Sequence, residues 1–217
     1  MLKRFVIVII FGIAFGYIEA AVVVYLREIF HPNGFNFPLT DFGTILQQKT
    51  ILLTEIGREA ATIVLIITGS WLFGKNIRQR IAYFLTIFAI WDIFYYIWLK
   101  VLIGWPASIM DWDILFLIPL SWASPVLYPI IISTMMLVFA MMILYSDSRG
   151  KSFKTSFFDW LAYLSAAVIV VVSFCIPGLH IQQEDFDSYF YKPLFAAGCL
   201  LAAATFLKCF IKSERIT

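Results

Sequence analysis

FVIVIIFGIAFGYIEAAVVVYL, residues 5–26, decides the fold. At about 1.5 Å per helical residue this apolar run is long enough to cross a hydrocarbon core of about 30 Å, and a single carboxylate, Glu19, interrupts it. Lys3 and Arg4 precede it as they would a signal peptide, but the apolar run continues through Val22, Val23 and Val24 past any Ala-rich cleavage point, so the helix is expected to stay in the mature protein.

Five further runs of similar length follow, at Thr50–Phe73, Ile81–Ile103, Pro125–Tyr145, Phe157–Ile176 and Pro193–Ile211, separated by polar or Pro/Gly punctuation. Hydrophobic residues make up 62% of the 217 and charged residues only 14%, a balance that points to lipid as solvent. The expected fold class is all-α: a polytopic membrane helix bundle of about six transmembrane helices, forming one transmembrane domain over residues 1–217. No internal repeat supports an inverted-repeat transporter, and no basic block is long enough for a nucleic-acid partner.

Positive charge gives the orientation. Lys3 and Arg4; Lys75, Arg78 and Arg80; Arg149, Lys151 and Lys154; and Lys208, Lys212 and Arg215 all fall on one side of a six-span topology. Retention of Lys and Arg in cytoplasmic loops then places both termini in the cytoplasm of an inner (cell) membrane protein. The opposite loops carry Glu28, Asp41, Asp111, Asp113, Glu184, Asp185 and Asp187. Two of them, Phe35–Gln48 and Ser108–Trp122, are too apolar for linkers and too short to span, so they are expected to lie at the interface or re-enter. Trp105, Trp112 and Trp122 fit an aromatic belt there.

Helical rise puts three carboxylates in one layer: Glu19 at about 21 Å from the cytoplasmic edge, Glu59 at about 17 Å and Asp92 at about 16 Å. Glu55 and Glu59 are four apart and share a face with Arg58 alongside, while Asp92, Tyr96 and Lys100 form a second stripe. Gly12 and Gly16 lie on the Glu19 side of the first helix, where a neighbouring backbone can approach. Each ionised group at the bilayer centre costs roughly 2.5 to 3.5 kcal/mol. Against the acids Glu19, Glu55, Glu59 and Asp92 stand only the bases Arg58 and Lys100. The expected pairs are Glu55 or Glu59 with Arg58, and Asp92 with whichever base reaches it, with Tyr95 or Tyr96 donating; Lys100 is also near enough to the outer interface to extend toward it.

Three readings stay open. Glu19, Glu55, Arg58, Glu59, Asp92, Tyr96 and Lys100 line an outward-facing site that binds, and transports, a small ion or charged solute. Alternatively, Glu55, Glu59 and Asp92 hold a divalent cation in an enzyme acting on an anionic lipid or phosphoester at the outer leaflet, with Arg58 and Lys100 on the anion. A structural network within a homo-oligomer or a larger membrane complex is the third, with membrane lipids as neighbours throughout. Asp111-Trp112-Asp113 reads first as a solvated interfacial turn, His31 and His180 as loop residues, and Cys175, Cys199 and Cys209 as small packing residues.

Overall fold

A computed structural model describes residues 2–32, 34–40, 42, 48–152 and 155–215. Six helices of 20 to 29 residues dominate: α1 (Leu2–Phe30), α2 (Lys49–Phe73), α3 (Ile77–Ile103), α4 (Leu127–Ser148), α5 (Phe157–Gly178) and α6 (Lys192–Ile211). Five are long and apolar enough to cross a membrane. The exception is α2, equally long at 25 residues but carrying Glu55, Arg58 and Glu59. The protein is an all-α membrane helix bundle.

Close approach of α1 to α3 depends on glycine. A side chain at Gly12 would meet Ile90, and one at Gly16 would meet the Trp91 carbonyl oxygen at 2.9 Å. The indole of Trp98 on α3 donates to the Ile13 carbonyl at 3.1 Å, satisfying its N–H within the contact. Val8 and Phe15 of α1, Ile66 of α2, and Tyr83, Ile87 and Trp91 of α3 form one buried cluster where the first three helices meet. Gly198 does for the α5–α6 pair what Gly12 does for α1, lying against Ala166 and Val170.

One end of the bundle gathers the basic loops. Asn76 caps α3 by accepting from the Gln79 N–H at 2.9 Å. Asp147, at the end of α4, accepts from Arg78 Nε at 2.9 Å, Gln79 Nε2 at 2.8 Å and Asn76 Nδ2 at 3.2 Å. Ser156 and Asp159 close a capping box on α5, and Lys208 of α6 reaches Asp159 at 2.6 Å. Strands β3 (Lys151–Ser152) and β4 (Glu214–Arg215) pair here, so the described carboxyl-terminal residues return to the loop that follows α4. Lys154, counted among the basic residues of this side, lies outside the described residues.

The other end is closed by a β-hairpin. Strands β1 (Trp112–Phe116) and β2 (Trp122–Pro125) pair antiparallel, Asp113 opposite Ser124, with an irregularity between Ile114 and Phe116. Asp113 and Ser124, opposite each other, share one face and Ala123 lies on the other, and all three are almost fully buried. Gly178 at the end of α5 leaves no space between its backbone and the Ser121 carbonyl, which fixes the hairpin to that helix. Leu39 donates its N–H to the Ile181 carbonyl at 2.8 Å, and Leu39, Phe42 and Ile181 pack over Ala123. Asp41 and residues 43–47 of the other expected interfacial segment lie outside the described residues. The three tryptophans of the expected belt lie at this end: Trp112 lies against Phe186, Trp122 against Phe116 and Phe174, and Trp105 under the Arg27 guanidinium. Cys175, Cys199 and Cys209 are free thiols.

Candidate functional site

Helical spacing brings Glu55 and Arg58 together first. They are three residues apart on α2, and Arg58 Nε lies 2.8 Å from Glu55 Oε2. The same guanidinium extends to Glu19 on α1 through Nη1, so one arginine serves two carboxylates on two helices. Thr62, one turn further along α2, places its hydroxyl 3.5 Å from the other Glu19 oxygen.

Glu59 does not share in this pairing. Both its oxygens accept the backbone N–H of Leu117, at 3.0 and 2.9 Å, at the start of the hairpin loop. Asp92 on α3 accepts the Ser133 hydroxyl of α4 at 2.7 Å and takes no base. The expected pairs thus form only in part: Arg58 takes Glu55 and Glu19, and Asp92 is met by a neutral donor. Lys100 lies apart, exposed, with Nζ on the carbonyls of Gly104 and Pro106 at 3.0 and 2.7 Å; its stem carries the charge to the helix end.

A second ion pair lies beyond the predicted set. Arg27 Nη2 reaches Asp113 Oδ1 at 3.0 Å, and Tyr95 donates its hydroxyl to Asp113 Oδ2 at 3.2 Å. The Arg27 guanidinium is held between the rings of Trp105 at 3.7 Å and Phe35 at 4.1 Å. Asp113, 2% exposed, is therefore a buried partner of α1, in contrast to the solvated turn its sequence suggests. Apolar neighbours on both sides, Trp112 and Ile114, were the available signal, but the pleat that turns Asp113 inward is visible only once the segment is a strand.

Glu19, Glu55, Arg58, Glu59, Asp92 and Tyr96 all line one cavity of about 810 Å³, and Lys100 does not. That volume falls in the range of ligand sites, about 300 to 1,000 Å³. The cavity extends from Arg27 and Asp113 at the hairpin end to Arg78 and Thr155 at the basic end. Its polar groups gather in the hairpin half; between α3, α4, α5 and α6 its wall is almost wholly apolar. Among the described residues no three Asp, Glu, His or Cys are grouped as metal ligands would be. Glu55, Glu59 and Asp92, expected as a cation triad, turn to Arg58, Leu117 and Ser133 respectively.

Three buried donors have no partner among the described residues: Arg27 Nη1, Trp91 Nε1 and Trp122 Nε1. All three residues line the cavity. Unpaired buried donors are uncommon and costly, about 1 to 3 kcal/mol each. No family model matches the chain, and neither a curated protein nor a solved structure resembles it.

Proposed function

We propose that this protein, with both termini on the cytoplasmic side of the cell membrane, binds a small cation or a positively charged solute in the intramembrane cavity and moves it across the bilayer. The observation that carries the reading is that, among the described residues, Glu59 and Asp92 line the cavity with only a backbone N–H and a serine hydroxyl as hydrogen-bond partners. The two nearby arginines are committed elsewhere, Arg58 to Glu19 and Glu55, and Arg27 to Asp113. Carboxylates at this depth require a proton, a cation or water to offset desolvation, and a passing cation is what such an arrangement accommodates. The length of the cavity, from Ile77 to Tyr96 along α3 or about 28 Å, supports passage across most of the core.

The test is thermal unfolding of the purified chain in detergent, at constant ionic strength, with Na⁺, K⁺, Mg²⁺, Ca²⁺ and ethanolamine titrated separately. At one hundred times its dissociation constant a bound cation stabilises by about 2.7 kcal/mol. We expect such stabilisation with at least one of these cations, and its loss in the Glu59→Gln/Asp92→Asn double variant. A wild-type protein indifferent to all of them, with a double variant that is simply less stable, would show a structural network and sink the reading.

A further inference from the structure

We infer that the charged solute is an aminophospholipid, its ammonium on Glu59 and Asp92, its phosphate and ester oxygens on the unpartnered donors, and its acyl chain in the apolar half of the cavity. This rests on the cation-binding reading and specifies its ligand. Two independent sets of groups point to it. The first is the pair of carboxylates without a basic partner. The second is the set of donors: Trp91 and Arg27 are 4% and 8% exposed, and Trp91 Nε1, Trp122 Nε1 and Arg27 Nη1 each lack an acceptor among the described residues. A bare metal ion or a simple amine would answer the carboxylates and leave those donors unmet. A head group with ammonium and oxygen acceptors a few bonds apart answers both.

The positions agree. Trp91 precedes Asp92 in the chain, and its ring lies 6.1 Å from Phe116, which in turn is 5.4 Å from Trp122. Leu117, next after Phe116, donates to Glu59. Trp91, Trp122, Glu59 and Asp92 therefore form a band around Phe116 and Leu117, with Arg27, stacked on Trp105, further toward the hairpin end of the bundle. On the other side of the band the α3 wall is Phe88, Leu85, Phe84 and Ile81, faced by Val170 of α5 and Ala202 of α6. From Asp92 to Ile81 this wall runs about 16 Å toward the basic end of the bundle, so a chain laid along it would have its tip away from the hairpin. Lipid tails gain little by exchanging one apolar surface for another, so the head group must supply the discrimination and the wall admits the chain.

Three probes separate the parts, each titrated into the full-length protein in maltoside micelles with thermal unfolding and intrinsic tryptophan fluorescence as readouts. Lysophosphatidylethanolamine carries chain, phosphate and ammonium; lysophosphatidylglycerol of the same chain lacks the ammonium; phosphoethanolamine lacks the chain. We expect the first to bind at least about tenfold more tightly than either other probe, because a buried charge pair would be lost with one and the apolar wall left unfilled with the other. Glu59→Gln/Asp92→Asn should erase the preference for ethanolamine over glycerol. Ala202→Phe, which fills the apolar half and touches no charged group, should erase the preference for lysolipid over phosphoethanolamine and leave phosphoethanolamine binding as it was. Phosphoethanolamine binding as tightly as the lysolipid would overturn the lipid inference and leave the cation site standing. Equal binding of the two lysolipids, unchanged in the double variant, or binding of none of the three probes would also overturn the lipid inference; the cation reading falls only if the cation titrations above fail as well.

Discussion

Asp147 and Glu59 both carry well-buried carboxylates on long helices, and they are treated in opposite ways. At the basic end Asp147 is met by an arginine, a glutamine and an asparagine. In the hairpin half Glu59 has one backbone N–H shared between two oxygens, and Asp92 one hydroxyl. The first arrangement is complete within the protein and needs nothing further. In the second, among the described residues, five cavity-lining acids of the hairpin half, Glu19, Glu55, Glu59, Asp92 and Asp113, face two arginines, Arg27 and Arg58, and one imidazole, His31. A site whose partners are incomplete is what a ligand completes.

The largest effect should come from removing the arginine that serves two carboxylates in the hairpin half. Arg58→Met strands Glu19 and Glu55 in a poorly solvated place, and loss of one member of a buried pair typically costs about 3 to 5 kcal/mol. Denaturant unfolding in detergent should show that loss, and Glu19→Gln with Glu55→Gln added to Arg58→Met should recover most of it. A cost below about 1 kcal/mol would mean that water reaches these carboxylates freely, and the contrast drawn above would disappear.

Next in size is the direct comparison. Asp147→Asn weakens hydrogen bonds from charged and neutral donors together, for which about 1.5 to 3 kcal/mol is usual. Glu59→Gln keeps a carbonyl oxygen for the Leu117 N–H and removes a charge that makes no ion pair among the described residues, so stability should hold or rise while cation-dependent stabilisation is lost. Measured side by side by thermal unfolding, the two variants should move in different directions. Equal destabilisation would put Glu59 in the same structural class as Asp147.

Much of this was legible before any coordinates. All six helices follow from apolar runs, since the cost of unsatisfied backbone in lipid leaves a long apolar stretch few alternatives. The Gly12 and Gly16 face and the Glu55–Arg58 pair follow from helical spacing. Ile114–Ile118 was less readable: a short apolar run bounded by proline has the same pattern as a strand or as a turn of buried helix. The Glu19–Arg58 pair was hidden for another reason, because depth can be counted along a helix but rotation of one helix about its neighbour cannot. Arg27 carries no distinguishing pattern in the sequence, because its buried pairing with Asp113 depends on the hairpin.

Hairpin placement gives a smaller effect, and one that acts on the site without touching it. Gly178→Ala forces a methyl group toward the Ser121 carbonyl, and overpacking of this kind costs about 1 to 3 kcal/mol. Because β2 and the Leu117 N–H belong to the same hairpin, the shift should also change Trp122 fluorescence and weaken ligand-dependent stabilisation. Destabilisation with ligand response intact would show that the hairpin closes the bundle without shaping the cavity.

The smallest effect belongs to Lys208→Met. Lys208 is half exposed and its 2.6 Å contact with Asp159 lies at the basic end, where solvent screens the pair and the long side chain loses entropy in holding it. Asp159 keeps the Ser156 N–H and hydroxyl, both at 2.8 Å, so its carboxylate stays satisfied and the α5 cap survives. The midpoint of thermal unfolding should therefore not move measurably, and neither should its response to salt. A short ion pair that can be removed without consequence, set beside Arg58, which cannot, would locate the difference in solvent access at the two ends and not in the number of salt bridges at each.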